Sequence, residues 1–179
     1  MYVSTNIDIR LAGSRNVGGR NAFEVTGKKW IGIIVVIIDI LKGIMAIWFV
    51  LNFFPNDVLL YSIAMSSVVL GHCYPVWLKF HGGRGLATTA GVFLMTSWAW
   101  VALWLIMYIL FLKITNNVHG SSAIALVGTP IIGLLVPTDV VSKFIRQEFS
   151  VDQFLLASLL VMAVCLSRHI EPLRDYSKK

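Results

Sequence analysis

The sequence predicts an all-α fold, a polytopic membrane helix bundle of about six short transmembrane segments that form one domain over residues 1–179. Two observations carry this prediction. Hydrophobic residues make up 57% of the 179 residues, charged residues only 13%, and the mean hydropathy is +0.78. The charges also lie in short stretches between long apolar runs, which is typical of a membrane protein and not of a soluble domain.

The apolar runs place the segments in order along the chain. Residues 1–21 have no apolar core and are therefore not a signal peptide, so the first predicted segment is 30–54. Further helices are predicted at 58–70, 121–136 and 154–166. The apolar run 86–112 is long for one helix, and we expect it to form two short helices that turn near Ser97 and Trp98.

Lysine and arginine in the short loops predict the orientation. Residues 1–29 carry five of these cations, the segment 79–85 carries Lys79 and Arg84, and the tail after Ser167 carries four more. Positive charge favours the cytoplasmic side of a membrane, so both termini and the 79–85 loop are predicted to be cytoplasmic. Three polar segments then share one face of the membrane, and a site built from all three becomes possible.

The first polar segment is "GSRNVGGRN", residues 13–21. Its glycines expose backbone N–H groups, Ser14, Asn16 and Asn21 add neutral polar groups, and Arg15 and Arg20 add guanidinium groups suited to phosphate. A plain loop that uses glycine and asparagine for turns and arginine for orientation explains the same residues. Both interpretations remain open from the residues alone.

The second polar segment is "KFHGGRGLATT", residues 79–89. We expect Gly82, Gly83 and Gly85 to turn their amides toward a phosphate, with charge supplied by Lys79 and Arg84. The helix that "LATT" opens would aim its N-terminal dipole at the same anion. The Walker A spacing is absent.

Several other polar residues have simpler interpretations. His169 in the tail is suited to hydrogen bonding or proton transfer near neutral pH, although a lone histidine at the membrane interface is more often a contact with lipid headgroups. Asp39 and Lys42 stand three residues apart and are predicted to pair. Cys73 and Cys165 have no metal-ligand spacing. We therefore expect no metal, no cofactor and no nucleic-acid partner.

With these residues in view, the chain resembles the bacterial acyl-phosphate:glycerol-3-phosphate acyltransferases. The resemblance is strongest in "GHCYPVWLKFHGGRGLATTAGVFL", which is similar to the family pattern G-H-x-F-P-x-F-L-K-F-K-G-G-K-G-V-A-T. The opening "DIRLAGSRNVGGRN" is similar to D-I-R-x-x-G-S-G-N-I-G-A-T-N, and "DILKG" at 39–43 matches a further family element. Ser122 stands where the family has a serine that opens a later helix.

The resemblance implies transfer of a fatty acyl group from acyl phosphate to glycerol 3-phosphate in the cell membrane, without a covalent acyl-enzyme. It implies acyl phosphate, glycerol 3-phosphate and membrane lipids as partners, and a monomer. The predicted catalytic residues are His169, Lys79, Arg84 and Asn16. The predicted substrate-binding residues are Ser14, Arg20, Asn21, Gly82, Gly83, Gly85 and Ser122.

The chain departs from the family pattern at several positions. The family's first spanning helix is expected to be missing before "DIR", and Arg15 stands where the family has glycine. Glu24 replaces a substrate-binding arginine, and Pro172 replaces an asparagine. A second hypothesis is therefore a catalytically weakened relative that binds acyl phosphate, lipid or a partner protein. A third, resting on Asp39 and Lys42, is a small transporter.

Overall fold

The computed structural model describes residues 7–55, 57–170 and 173, and over these residues the fold is all-helical, without strands. The prediction of an all-α fold is confirmed. The helices are α1 Gly19–Thr26, α2 Lys29–Phe53, α3 Val58–Cys73, α4 Leu86–Thr96, α5 Trp98–Thr115, α6 Val118–Leu135, α7 Thr138–Val141 and α8 Val151–Ser167, with a 3-10 turn at Val76–Leu78.

The long apolar run divides into two helices at Ser97, as the sequence predicts. Ser97 has an extended backbone with φ −162° and ψ 97°, which ends α4 and begins α5. Its hydroxyl oxygen accepts a hydrogen bond from the Trp100 amide at 3.4 Å and so caps α5. A single capping residue therefore separates two helices within otherwise continuous apolar sequence.

Four helical stretches are long and apolar enough to cross a membrane, and two shorter apolar helices accompany them. The four are Lys29–Phe53, Val58–Leu78, Trp98–Thr115 and Val118–Leu135, and the shorter two are α4 and α8. Large hydrophobic side chains on their outer faces are exposed, among them Ile38, Leu59 and Ile106. Exposed apolar faces of this extent suit contact with lipid. The number of crossings and the side of each terminus remain predictions.

The backbones of α2 and α4 touch where they cross. A Cβ on Gly43 of α2 would overlap the Thr88 carbonyl oxygen, and a Cβ on Gly91 of α4 would overlap the Ile40 carbonyl oxygen. Small residues permit this approach, which is common where membrane helices pack. Helix α3 packs against α8 and α5 against α6, and these pairs complete the bundle.

The two ends of the bundle differ in character. At one end, the connection before α8 packs on the helices: the Arg146 amide donates to the Thr96 carbonyl at 3.0 Å, and the rings of Tyr61 and Phe149 lie 5.3 Å apart. At the other end, the loops before α4 and after α8 meet through Arg168 and Gly82. The polar segments that the sequence singled out gather at this second end.

Candidate active site

The glycine loop, defined as residues 79–85, begins with two consecutive left-handed residues. Lys79 has φ 50° and Phe80 has φ 63°, a conformation that residues other than glycine seldom adopt. The Phe80 amide donates to the Pro75 carbonyl at 3.0 Å, and Nδ1 of His81 lies 2.6 Å from the Lys79 carbonyl oxygen. The loop is therefore a closely hydrogen-bonded reversal of the chain, with the Lys79 side chain on its exposed surface.

The amides of Gly82 and Gly83 point back into the protein. Gly82 donates to the Cys73 carbonyl and Gly83 donates to the His72 carbonyl, each at 3.1 Å. The prediction that these two amides face a phosphate is wrong, because the end of α3 already accepts their hydrogen bonds. Glycine is required here by space: a Cβ at Gly82 would overlap the His72 carbonyl oxygen, and one at Gly83 would overlap the His72 ring.

Gly85 begins α4 in a left-handed conformation, with φ 83°. A Cβ at this position would lie 2.7 Å from the Cys165 sulfur and 2.8 Å from the Cys73 sulfur, and both are free thiols. The Thr89 amide donates to the Gly85 carbonyl at 2.8 Å, so the amides before Thr89 are the donors that a helix leaves at its N-terminus. The predicted helix start is confirmed, and its positive end lies directly after the loop.

A cluster of ionisable side chains on α2 and α3 packs against the glycine loop. Lys42 Nζ lies 2.7 Å from Asp39 Oδ1, which confirms the predicted pair. His72 joins it: its Nδ1 contacts Lys42 and lies 3.4 Å from Asp39 Oδ1. His72 is not among the residues that the sequence analysis singled out. Its position in the last turn of α3, just before the glycine loop, is the sequence signal that indicates a contact with Gly83.

His169 lies buried just after α8. Its Nδ1 is 2.9 Å from the Cys165 carbonyl oxygen, and because a carbonyl only accepts, Nδ1 carries the proton and Nε2 presents a lone pair. Nε2 is buried and has no hydrogen-bond partner among the residues that the structure describes. Burial lowers the pKa of His169, the bond to Cys165 opposes this, and the charges of Arg84 and Arg168 lower the pKa further. A neutral imidazole is thus presented as an acceptor.

His119, at the start of α6, faces His169 with the ring centroids 6.0 Å apart. Within the described part of the chain, its Nδ1 is also buried without a hydrogen-bond partner. Buried polar atoms of this kind require an explanation, and a bound polar ligand supplies one for two adjacent rings. Arg84, Arg20 and Glu24 lie within electrostatic reach of His119. Three predicted site residues, Arg20, Arg84 and His169, therefore lie in one neighbourhood. His119 lies there too, and it is not among the residues predicted from the sequence.

Asn21 holds the first polar loop together. Its Nδ2 donates to the carbonyls of Ile9 and Ala12 at 3.1 Å and of Asn16 at 2.9 Å, while its Oδ1 accepts from the Ser14 amide at 2.8 Å. The Asn21 side chain is buried, and its hydrogen bonds are used within the loop. Asn16 differs, because its buried Oδ1 has no hydrogen-bond partner in the described ranges and is a candidate acceptor for a ligand.

The remaining predicted residues have varied surroundings. The Ser122 hydroxyl is buried and donates to the Val118 carbonyl at 2.8 Å, and Ser14 is exposed. Pro172 lies outside the described residues. Among residues 7–55, 57–170 and 173, no three His, Cys, Asp or Glu side chains gather as metal ligands would. The expectation of no metal or cofactor stays an expectation.

A narrow apolar cleft, with a cavity volume of about 20 Å³, lies beside the start of α4. Leu86 and Thr89 line it next to the glycine loop, and Phe93, Trp100 and Met162 line the part farther along the helices. Helices α4, α5, α6 and α8 all contribute walls. This lining suits contact with a hydrocarbon chain, because nearly all of its residues are hydrophobic or aromatic.

The fold and site together define a polytopic membrane protein with a cationic, histidine-containing site at one end of its bundle and an apolar cleft beside it. The family model described as "Glycerol-3-phosphate acyltransferase" matches residues 1–179. The chain belongs to this glycerol-3-phosphate acyltransferase family.

Individual relatives agree with the family model. The chain is 34% identical over 173 residues to a glycerol-3-phosphate acyltransferase of Prochlorococcus marinus, covering 94% of this chain and 80% of the relative. It is 37% identical over 123 residues to that of Erythrobacter litoralis, covering 65% of this chain but only 58% of the relative's length. The crystal structure of PlsY, an integral membrane glycerol 3-phosphate acyltransferase in its glycerol 3-phosphate form, superposes with a TM-score of 0.77 at 25% identity, covering 99% of this chain and 84% of that one.

Proposed function

We propose that the protein transfers a fatty acyl group from acyl phosphate to a hydroxyl of glycerol 3-phosphate, giving lysophosphatidic acid and inorganic phosphate. The observation that carries the proposal is the buried Nε2 of His169, which none of the described residues bonds and which lies within electrostatic reach of Arg84. An acceptor nitrogen beside a permanent cation suits a hydroxyl and a phosphate brought together. The solved PlsY structure in its glycerol 3-phosphate form supports the choice of acceptor.

Acyl phosphate is a mixed anhydride, so the reaction depends on positioning and charge stabilisation more than on a protein nucleophile. The glycerol hydroxyl oxygen attacks the acyl carbonyl carbon, and the bond from that carbon to the bridging phosphate oxygen breaks. His169 Nε2 accepts the hydrogen bond of the attacking hydroxyl and orients it. The hydroxyl proton passes to Nε2 and from there to an oxygen of the departing phosphate, so that both groups end in their starting or product protonation states. The acyl group moves directly to the glycerol oxygen, and no covalent acyl-enzyme forms.

The anions are held by side chains in this proposal. Arg84, Lys79 and the N-terminus of α4 stabilise the departing phosphate. Glycerol 3-phosphate is bound by Arg20 and Asn16. The shape of this site is set by residues with backbone or packing roles, which are Ser14, Asn21, Gly82, Gly83, Gly85 and Ser122.

The acyl chain lies in lipid against the apolar cleft that begins at Leu86, so its carbonyl end reaches the glycine loop. The protein acts as a monomer and a single domain in the plasma membrane, with both termini and the site on the cytoplasmic face. The distribution of lysine and arginine supports this orientation.

One observation favours the alternative of a catalytically weakened relative. Glu24 forms an ion pair with Arg20, with Arg20 Nε 2.7 Å from Glu24 Oε1. A carboxylate that pairs with this arginine competes with a substrate phosphate for it. In this alternative the protein binds acyl phosphate or lipid and turns it over slowly.

Transfer of a radiolabelled acyl group from acyl phosphate to glycerol 3-phosphate by the purified protein tests the proposal. We expect labelled lysophosphatidic acid, and Arg84→Ala should raise KM for acyl phosphate and lower the rate, because this charge acts in binding and on the leaving group. Saturable binding of acyl phosphate without product by the folded protein would favour the alternative. Substrate flux into liposomes without acyl product would favour a transporter.

A further inference from the structure

Arg168, the C-cap residue that follows α8, donates hydrogen bonds to the glycine loop. Its Nη2 donates to the Gly82 carbonyl at 3.1 Å and its Nε donates to the Gly83 carbonyl at 3.3 Å. The planar guanidinium thus donates to two consecutive carbonyls with two N–H groups, a geometry that lysine cannot reproduce.

The guanidinium of Arg168 is also held in place by an aromatic ring. Its Cζ lies 5.3 Å from the ring centroid of Tyr74, within the range of a cation–π contact. The Tyr74 hydroxyl in turn lies 2.5 Å from the Ser167 hydroxyl, the residue before Arg168. The orientation of the guanidinium is therefore fixed by residues from α8 and from the end of α3.

The Gly82–Gly83 segment is consequently bonded along both edges. Its amides donate to the carbonyls of Cys73 and His72, and its carbonyls accept from Arg168. Arg84 follows this segment directly, and His169 follows Arg168 directly. The guanidinium of Arg168 therefore joins the backbone that carries Arg84 to the backbone that carries His169.

We propose that Arg168 is a positioning residue, whose paired hydrogen bonds to the Gly82 and Gly83 carbonyls fix the glycine loop, and with it Arg84, relative to His169. The inference rests on the proposed function for its effect on rate, but the structural effect stands independently of it. Arg168 acts through loop geometry, whereas a phosphate ligand would act through its charge.

Comparison of Arg168→Lys with Arg168→Gln separates geometry from charge. Because both substitutions remove the paired hydrogen bonds, we expect kcat to fall in both by about 10- to 100-fold, the effect of misplacing a reacting group by about 1 Å, with KM for acyl phosphate little changed. A lysine variant with the wild-type kcat beside a weakened glutamine variant would overturn the proposal in favour of a charge role.

Hydrogen exchange of the loop amides provides a measurement that does not depend on activity. In Arg168→Lys the Gly82 and Gly83 amides should exchange faster than in the wild type, because the carbonyl side of the segment has lost its partner. Arg146→Lys is the matched control, since the Arg146 guanidinium bonds Glu148 on the connection before α8 and should leave loop exchange unchanged. Unaltered loop exchange in folded Arg168→Lys would overturn the proposal.

If the Arg168 variants do not fold, Tyr74→Leu tests the same proposal. This substitution removes the ring that packs on the Arg168 guanidinium and retains the positive charge of Arg168. We expect the same faster exchange of the loop amides, and wild-type exchange in this variant would again contradict the proposal. Absence of acyl transfer by the wild-type protein would refute the proposed function, whereas the exchange comparison would still decide the role of Arg168.

Discussion

Arg20 and Glu24 form an ion pair on α1, with Arg20 Nε 2.7 Å from Glu24 Oε1. Both side chains are about half exposed, and pairs of this kind contribute about 0–1 kcal/mol. Glu24→Gln should release Arg20 for the substrate phosphate and lower KM for glycerol 3-phosphate by about two- to fivefold. Steady-state kinetics with radiolabelled glycerol 3-phosphate at low ionic strength measure this change.

Glu148→Gln is the matched control for the Glu24 variant. Glu148 also pairs with an arginine, Arg146, at 2.8 Å, but on the connection before α8. Its KM should stay at the wild-type value. An unchanged KM in Glu24→Gln would mean that Arg20 does not bind the phosphate.

The pH dependence of the rate should report the burial of His169. Burial lowers its pKa below the ordinary 6.5, and the nearby arginines add to this effect. Because protonation of Nε2 removes the acceptor lone pair, kcat should fall as pH falls through a midpoint below 6.5. Arg84→Gln removes a positive charge from this neighbourhood and should move the midpoint to higher pH.

Two histidine variants identify the group that titrates. His169→Asn should abolish the acidic limb of the kcat profile, whereas His81→Asn, which changes an exposed histidine of the same loop, should keep it. A limb that persists in His169→Asn, or a wild-type midpoint at 6.5 or above, would exclude His169 as the acceptor.

The contact between Gly83 and His72 predicts the effect of a single methyl group. Gly83→Ala places a Cβ on the His72 ring, so the loop or the Asp39–Lys42–His72 cluster must shift. We expect kcat to fall by about 10- to 100-fold through misplacement of Arg84. Gly71→Ala is the control, because a Cβ at Gly71 has no neighbour within 4 Å, and it should retain wild-type kcat. Equal activities in the two variants would contradict the packing argument.

Arg15 occupies a left-handed backbone conformation, with φ 57°, where the family pattern has glycine. Holding a residue other than glycine in this region costs on the order of 1 kcal/mol. Arg15→Gly should therefore raise Tm in detergent relative to Arg15→Ala, which removes the same side chain but keeps the backbone cost. Equal Tm values for the two variants would show that Arg15 carries no strain.

The helices were predictable because their signals are local. Ser97 divides a run too long for one helix and caps the second part, and the start of α4 follows Gly85 as the "GLATT" sequence predicts. The Asp39–Lys42 pair is likewise local, since both residues lie on one helix.

The bonding partners at the site could not be predicted in the same way. The direction of the Gly82 and Gly83 amides depends on how the loop folds back on α3, and one sequence does not specify that contact. Arg168 lies more than 80 residues from its partner carbonyls. Asn21 has the polar side chain expected of a residue that binds substrate. In the folded loop, however, its side-chain amide donates to three backbone carbonyls.

The occupied amides of Gly82 and Gly83 have a consequence for selectivity. In the proposed site, a phosphate is held by the side chains of Arg84 and Lys79 and by the N-terminus of α4, and not by the amides of Gly82 and Gly83. The attraction of these positive charges for an anion grows with the charge of the anion. The site should therefore favour dianionic esters over monoanionic ones, lose affinity as ionic strength rises, and tolerate a phosphonate in place of the phosphate.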